Sequence, residues 1–457
     1  MTRYFEKLIA AIWNWIVQGT SKTRPSDLML GNAIVDGTVS GAQVKIPQER
    51  RAEHVAILGK TGSGKSSLLK HLVLQDIAAD RGFVFFDLHG DAQGFLLSAI
   101  AEQETLRNSD LSHRLIVIEP ADAVFSVGLN VLEFKGTHRD FVQVSELAEL
   151  LKQRWHLEAF GARTEELLRN ALYVLSECHL TLLELAPLLS NSAFRAHCVA
   201  QVQNPDVKSY FEARYDPLSQ SMQNMFREAV LNKTTAFTAD PHFRHILGQQ
   251  QSSFSLSEAM DSGYWIVLNL DKGRLGEQAA TLGSLFLTKL KNAVFARRSR
   301  KLFTLYCDEI QNLVTLEGGI DTLLSEARKF SVGVCSANQF LEQYPPKMKS
   351  AILAVGTHVL FQLSNDDAGK MAQALGGGKS LGELLRYLPH RNIIVKSGHH
   401  RWRQALVPQV RVPTADSGDL YNRCRSRWAK RRTEVEQDIQ SRQVAAAETK
   451  EVLDEWD

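Results

Sequence analysis

Hydrophobic positions along this chain follow two rhythms. Short, dense apolar runs recur at His54-Val55-Ala56-Ile57-Leu58, Gly82-Phe83-Val84-Phe85-Phe86-Asp87, Leu115–Ile118, Tyr264–Leu270, Leu302–Cys307, Val332–Cys335 and His358–Phe361. Each is rich in β-branched or aromatic side chains and predicts a strand buried on both faces. Between them, apolar residues recur at helical spacing. Strands alternating with helices predict an α/β fold with a mainly parallel, helix-covered sheet. Shorter β-like pieces precede it at Ile34–Gly37 and Ala42–Pro47. Near the far end, Ile393–Lys396 and Trp402–Val407 bracket Ser397-Gly398-His399-His400 and predict a hairpin.

The rhythm changes between residues 141 and 250. Leu, Ala, Glu, Gln and Arg dominate, apolar groups fall as Leu147-Leu150-Leu151 and Leu167-Leu168-Leu172, and β-branched runs nearly vanish. This pattern predicts an all-α domain inserted into the α/β core. The expected organisation is an amphipathic helix and linker over 1–28, a first core part over 29–140, the insertion over 141–253, a second core part over 254–413, and a charged helical tail over 414–457. At the start, Phe5, Leu8, Ile9, Ile12, Trp13 and Ile16 share one helical face, opposite Arg3, Glu6, Lys7 and Asn14. That helix docks on the body or on a partner, or makes peripheral membrane contact through residues 1–18 with Trp13 and Trp15 as anchors. No apolar run of 18 residues exists, so no spanning helix is expected.

Composition adds limits. The 457 residues carry a net charge of +2, so a nucleic-acid surface has to be a local patch or a ring made by assembly. The five cysteines form no C-x-x-C pair, which argues against a zinc site or disulfide framework and fits a cytoplasmic location.

The sharpest chemical signal is Gly59-Lys60-Thr61-Gly62-Ser63-Gly64-Lys65-Ser66, followed by Ser67. G-x-x-x-x-G-K-[ST] between a strand and a helix is a P-loop. Its backbone N–H groups cradle phosphate at a helix N-terminus, Lys65 reaches the β/γ oxygens, and Ser66 ligates Mg²⁺. ATP and Mg²⁺ are the expected cofactors. A hydrolytic site also needs an acid on the metal shell and another to polarise water. Asp87 and Asp308 both end strands, but Asp308 is followed at once by Glu309, so Asp308 is assigned to Mg²⁺ and Glu309 to water. Asp87-Leu88-His89-Gly90-Asp91 is then an accessory element beside the phosphates, or a plain turn. Gln339, at a strand tip, is placed to sense the γ-phosphate. Arg328 either caps a helix C-terminus or reaches the γ-phosphate of a neighbouring subunit.

Gly59–Ser67, the Asp87–Asp91 element, Gly128-Leu129-Asn130, Asp308-Glu309-Ile310-Gln311-Asn312, Glu326–Phe330, Ala337-Asn338-Gln339 and Phe361 through Asp367-Ala368 together resemble one family. It is the conjugative coupling ATPases of type IV secretion (TraG/TraD type), within the HerA/FtsK superfamily of DNA-pumping motors. The resemblance covers about Leu30 to Pro413. It implies a RecA-like core with an all-α insertion, a homohexameric ring around single- or double-stranded DNA, and ATP sites at subunit borders. It further implies that Arg328 is an arginine finger given in trans and that Gln339 couples nucleotide to DNA-facing elements. Secretion-system, relaxase or defence proteins are the implied partners. Lys272 and Arg274 in a strand-end loop, and Arg297 and Arg298 in a basic cluster, are the candidate DNA contacts. The dense 423–432 cluster is a further basic surface, for DNA, anionic lipid or an acidic partner. Two other functions fit the same engine: a protein-remodelling or secretion-energising ATPase that never grips DNA, and a nucleotide-gated assembly platform.

Overall fold

The computed structural model describes residues 27–133, 140–313 and 320–454, so the expected N-terminal amphipathic helix lies outside them. β1 (Leu28–Val35) and β2 (Thr38–Ile46) form a hairpin closed by Asp36-Gly37. Both turn residues have positive φ, +50° and +76°, the backbone that matches the twist of a two-residue hairpin. The core then runs β3 (Val55–Leu58), α1 (Lys65–Ala78), β4 (Gly82–Asp87), α2 (Gln93–Arg107), β5 (Leu115–Ile118) and a short β6 (Phe125–Ser126). It resumes with β7 (Trp265–Asn269), α3 (Gln278–Ala296), β8 (Phe303–Asp308), β9 (Val332–Asn338), β10 (Thr357–Leu360), β11 (Asn392–Ser397) and β12 (Arg403–Leu406). The chain ends with α4 (Gly418–Trp428), β13 (Lys430–Arg431) and α5 (Arg432–Asp454).

Eleven strands make one sheet in the order β2-β1-β12-β11-β10-β3-β9-β8-β4-β7-β5. From β10 to β5 every pairing is parallel, and the β11–β12 hairpin extends the sheet antiparallel. Strand alternation feeds two cores. Ala56 and Leu58 pack on one face with Phe86, Leu268 and Leu290. Val55 and Ile57 pack on the other with Leu68, Leu72, Phe83 and Trp265. Helices cover both faces, which is why the parallel strands can be apolar at every position.

Between β6 and β7 the described regular structure is helical, the longer helices being Asp140–Arg154, Ala162–Glu177 and Gln220–Thr238. Their apolar faces (Leu147, Leu172, Phe237) join the same cluster as α3, so the insertion shares a core with the sheet.

The tail corrects an expectation. Three of the six cations in the basic 423–432 cluster are used inside the fold, and Arg427, Lys430 and Arg431 stay exposed. Arg423 pairs with Glu104 at 2.7 Å and also with Asp110 and Asp419. Arg425 pairs with Asp122 at 2.8 Å, and Arg432 donates to the Pro120 carbonyl at 2.6 Å. These bonds seat α4 along the outer edge of β5, where Cys424 Sγ donates to the Leu115 carbonyl. β13 pairs with β6, and α5 lies on the insertion through Arg244–Glu436 and Arg442–Glu184, both at 3.0 Å. Among the described residues, no helix is long and apolar enough to cross a membrane.

Candidate nucleotide-binding site

The P-loop joins β3 to α1 at the carboxyl edge of the parallel strands, with β9 on one side of β3 and β10 on the other. Glycine is required where the loop is tightest. A Cβ on Gly59 would lie 2.5 Å from Phe361 Cβ and 2.7 Å from Ser63 Oγ. Gly64, at φ +114°, opens α1 with the Phe361 ring beneath it. Ser63 Oγ is buried and makes no hydrogen bond. Lys60, Thr61 and Gly62 form the outer lip of the loop, and Ser66 and Ser67 stand exposed on the first turn of α1.

Lys65 curls back over the loop. Its Nζ donates to the Gly59 carbonyl at 2.7 Å and to the Lys60 carbonyl at 3.1 Å. Burial lowers its pKa, against the pull of Asp308 and Glu309. Ser66 Oγ donates to Asp308 Oδ2 at 2.6 Å, which joins the first turn of α1 to the tip of β8. Burial raises the Asp308 pKa, opposed by the Ser66 bond and the Lys65 charge. Glu309 leaves the strand in the left-handed region at φ +56°, anchored by its N–H on the Ala337 carbonyl at 2.7 Å. The bend ends the strand's alternation, so two successive carboxylates serve one site, and it costs on the order of 1 kcal/mol.

Gln339 links the P-loop to Glu309. Its Oε1 accepts from Thr61 Oγ1 at 3.0 Å, and its Nε2 donates to Glu309 Oε1 at 3.0 Å. Asn312 Nδ2 donates to Glu309 Oε2 at 3.1 Å, and His89 Nε2 lies 3.9 Å from the same oxygen. The structure therefore brings Lys65, Ser66, Asp308, Glu309 and Gln339 together. An orphaned buried hydroxyl, glycines held against an aromatic ring, and a serine already touching an acid fit a triphosphate with its divalent cation.

Asp87 plays a different part. It is buried and accepts N–H bonds from Gly90 (2.9 Å), Ala92 (2.9 Å) and Gln93 (2.8 Å), which fixes the turn into α2. Of that element only His89 reaches the acids. The Thr61–Gln339 link had no sequence signal, because it depends on β9 lying beside β3. The same holds for Arg391, whose Cγ comes within 4.0 Å of where a Gly64 Cβ would be.

Arg328 lies at the other edge of the sheet, just before β9. The length of β9 sets it roughly 20 Å from Gln339. Its guanidinium is two-thirds exposed and pairs with Glu53 at 3.0 Å. Around it is a cavity of about 620 Å³ lined by Arg50, Glu53, His54, Arg328, Lys396 and His399, among others.

The four candidate DNA contacts do not share a surface. Lys272 and Arg274 stand at the carboxyl edge beyond β7. Arg274 is half-exposed and bonded to Glu119 at 3.1 Å. Arg298 is exposed at the opposite edge. Arg297 is a correction: it is buried, pairs with Asp261 at 2.9 Å and donates to the carbonyls of Phe330 (3.1 Å) and Lys301 (2.8 Å). Its guanidinium joins α3 to its neighbours and has no face for DNA.

Comparison with known proteins places the chain. The family model described as the helicase HerA central domain matches residues 28–287, more than half of the chain. No curated protein sequence matches. Among solved structures, the unbound bacterial conjugative coupling protein TrwB aligns with a TM-score of 0.58 at 15% identity, over 87% of this chain and 93% of that one. TrwB bound to the ATP analogue ADPNP gives 0.57 at 15%, over 85% and 96%. VirB4 of Thermoanaerobacter pseudethanolicus gives 0.55 at 14%, over 87% and 99%. At these identities the structural matches establish the shared fold.

Proposed function

Because the chain belongs to the HerA helicase central-domain family, we propose that it is an ATP-driven, ring-forming DNA translocase of the conjugative-coupling type. The observation that carries this reading is the split between the sheet edges. One edge holds a P-loop with both acids and a glutamine link, whereas the exposed cation suited to the transferring phosphate, Arg328, stands at the other. A chain built this way completes a site by donating Arg328 to a neighbour, and identical chains doing so head to tail close into a ring.

Bound Mg²⁺–ATP supplies the phosphoanhydride whose cleavage drives the cycle. Lys65 holds its β/γ oxygens, giving up the two loop carbonyls, and Ser66 Oγ and Asp308 hold the cation. Glu309 orients water and takes its proton at the carboxylate. Gln339 makes that carboxylate's position depend on Thr61, so a change in the loop is felt at β9. DNA would be held through the exposed cations Arg274 and Arg298 and the half-buried Lys272, without base readout. The solved neighbours support the cofactors: TrwB has been seen with ADP and Mg²⁺ and with analogues of ATP and GTP.

The test is the ATPase rate with and without single- and double-stranded DNA, beside a mass measurement of the nucleotide-bound assembly and a Lys65→Ala control. DNA-stimulated turnover by a hexamer, absent in the control, supports the reading. One observation favours a second reading. With Arg297 buried and three of the six cations of the 423–432 cluster bonded internally, part of the basic surface expected for DNA is already spent. A secretion-energising ATPase acting on protein would show the same turnover with no response to DNA.

A further inference from the structure

The site has a direction. Every acid and amide that could serve the reacting phosphate — Asp308, Glu309, Gln339 — comes from β8 and β9, on one side of the P-loop strand. A triphosphate seated with its γ end there must carry its nucleoside toward the other side, over β10 and β11. The segment between the helix Gly378–Arg386 and β11 waits on that side. It is tied to the P-loop by a chain of bonds: Lys60 N–H to the Gln362 carbonyl at 2.9 Å, and Gln362 Nε2 to the Arg386 carbonyl at 2.9 Å.

Two residues of this segment are unusual for a surface loop. Tyr387 is 78% exposed, although its neighbour Leu388 is buried and anchors the loop. Arg391 sits in the left-handed region at φ +64°. Its guanidinium donates through Nε and Nη2 to the Val407 carbonyl at 3.0 and 2.6 Å, holding the stem against the P-loop helix start. An arginine kept in a costly backbone conformation and clamped by one carbonyl presents the rest of its fork in a fixed place.

Resting on the nucleotide reading above, we infer that this loop is the nucleoside subsite. Tyr387 is the stacking surface for the base, and Arg391 lies beside the sugar and first phosphate. An exposed aromatic face binds any base by stacking and reads none by its edges, so ATP and GTP should bind within a few-fold of each other.

Equilibrium binding of MgATP and of inorganic tripolyphosphate with Mg²⁺ to the full chain tests this. In Tyr387→Ala the dissociation constant for ATP should rise roughly tenfold while that for tripolyphosphate is unchanged. Tyr387→Phe should keep the wild-type affinity for both. Wild-type ATP binding by Tyr387→Ala, or an equal loss of ATP and tripolyphosphate, overturns the subsite and leaves the phosphate site standing. A wild-type chain that binds neither ligand overturns the nucleotide reading, and the subsite with it.

Discussion

The two edges of the central sheet are built on opposite principles. At the carboxyl edge, three sets of hydrogen bonds within the chain hold the site: Lys65 to the Gly59 and Lys60 carbonyls, Ser66 to Asp308, and Thr61 to Glu309 through Gln339. At the amino edge, Arg328 has one partially exposed ion pair and looks into a cavity where the Nε2 of buried His54 makes no hydrogen bond. Preorganised contacts suit a site that must be ready before its ligand arrives. A loosely held cation suits a group that must change partners, because an exposed ion pair contributes at most about 1 kcal/mol and yields readily to a more highly charged anion.

That contrast can be broken in order of force. Arg328→Ala should lower turnover about 10³-fold while leaving nucleotide affinity of the isolated chain intact. Mixing it with the equally inactive Glu309→Gln should restore part of the rate, since some borders then pair an intact acid with an intact arginine. No recovery in the mixture would place the arginine's role within its own chain.

A second change strikes the rod between the edges. α1 starts at the P-loop and carries Asp76 near its far end, where the carboxylate is fully buried and bonded to Arg51, Arg81 and Tyr306. Asp76→Asn leaves buried Arg51 without its counter-charge and should cost about 3–5 kcal/mol, measured by urea unfolding. Retained stability would mean the pair is not a structural tie.

Gln339→Ala removes the link between Thr61 and Glu309. Turnover should fall on the order of tenfold, with ATP binding kept and DNA stimulation reduced. A loss of binding instead would make Gln339 a ligand rather than a link.

The smallest effect concerns the tail. Partial burial pushes the Glu436 carboxyl up, but Arg244 and His245 outweigh it and hold the pKa below the ordinary value of 4.5. The stabilisation is therefore present above that value and lost as pH falls through the lower folded one. It should be below about 1 kcal/mol. Hydrogen exchange over α5 should quicken below pH 4.5 in the wild type and show no such step in Glu436→Gln.

Much of the scaffold was legible because its signals are local. Apolar runs such as Val55–Leu58 and Gly82–Asp87 need both faces covered wherever they fall, and the P-loop carries its own turn and helix start. What stayed hidden depends on strand order or on distant partners. Thr61 meets Gln339 only because β9 sits between β3 and β8. Arg297 and Arg298 are adjacent in one basic run, and only the position of Asp261 decides that the first is buried. The 423–432 cluster looked like open surface because its carboxylates, Glu104, Asp110 and Asp122, lie about 300 residues earlier.

The docking of α4 has a consequence for chain integrity. β5 is the outermost parallel strand, and a bare strand edge offers unpaired N–H and carbonyl groups to any other extended chain. α4 is the lid on that edge, and β13 and α5 fasten the lid to the insertion. A chain ending before Gly418 would keep the P-loop and both acids yet expose a template for strand addition. It should fail by self-association rather than by loss of chemistry, so a segment remote from the site in sequence is the one that makes the finished sheet safe in company.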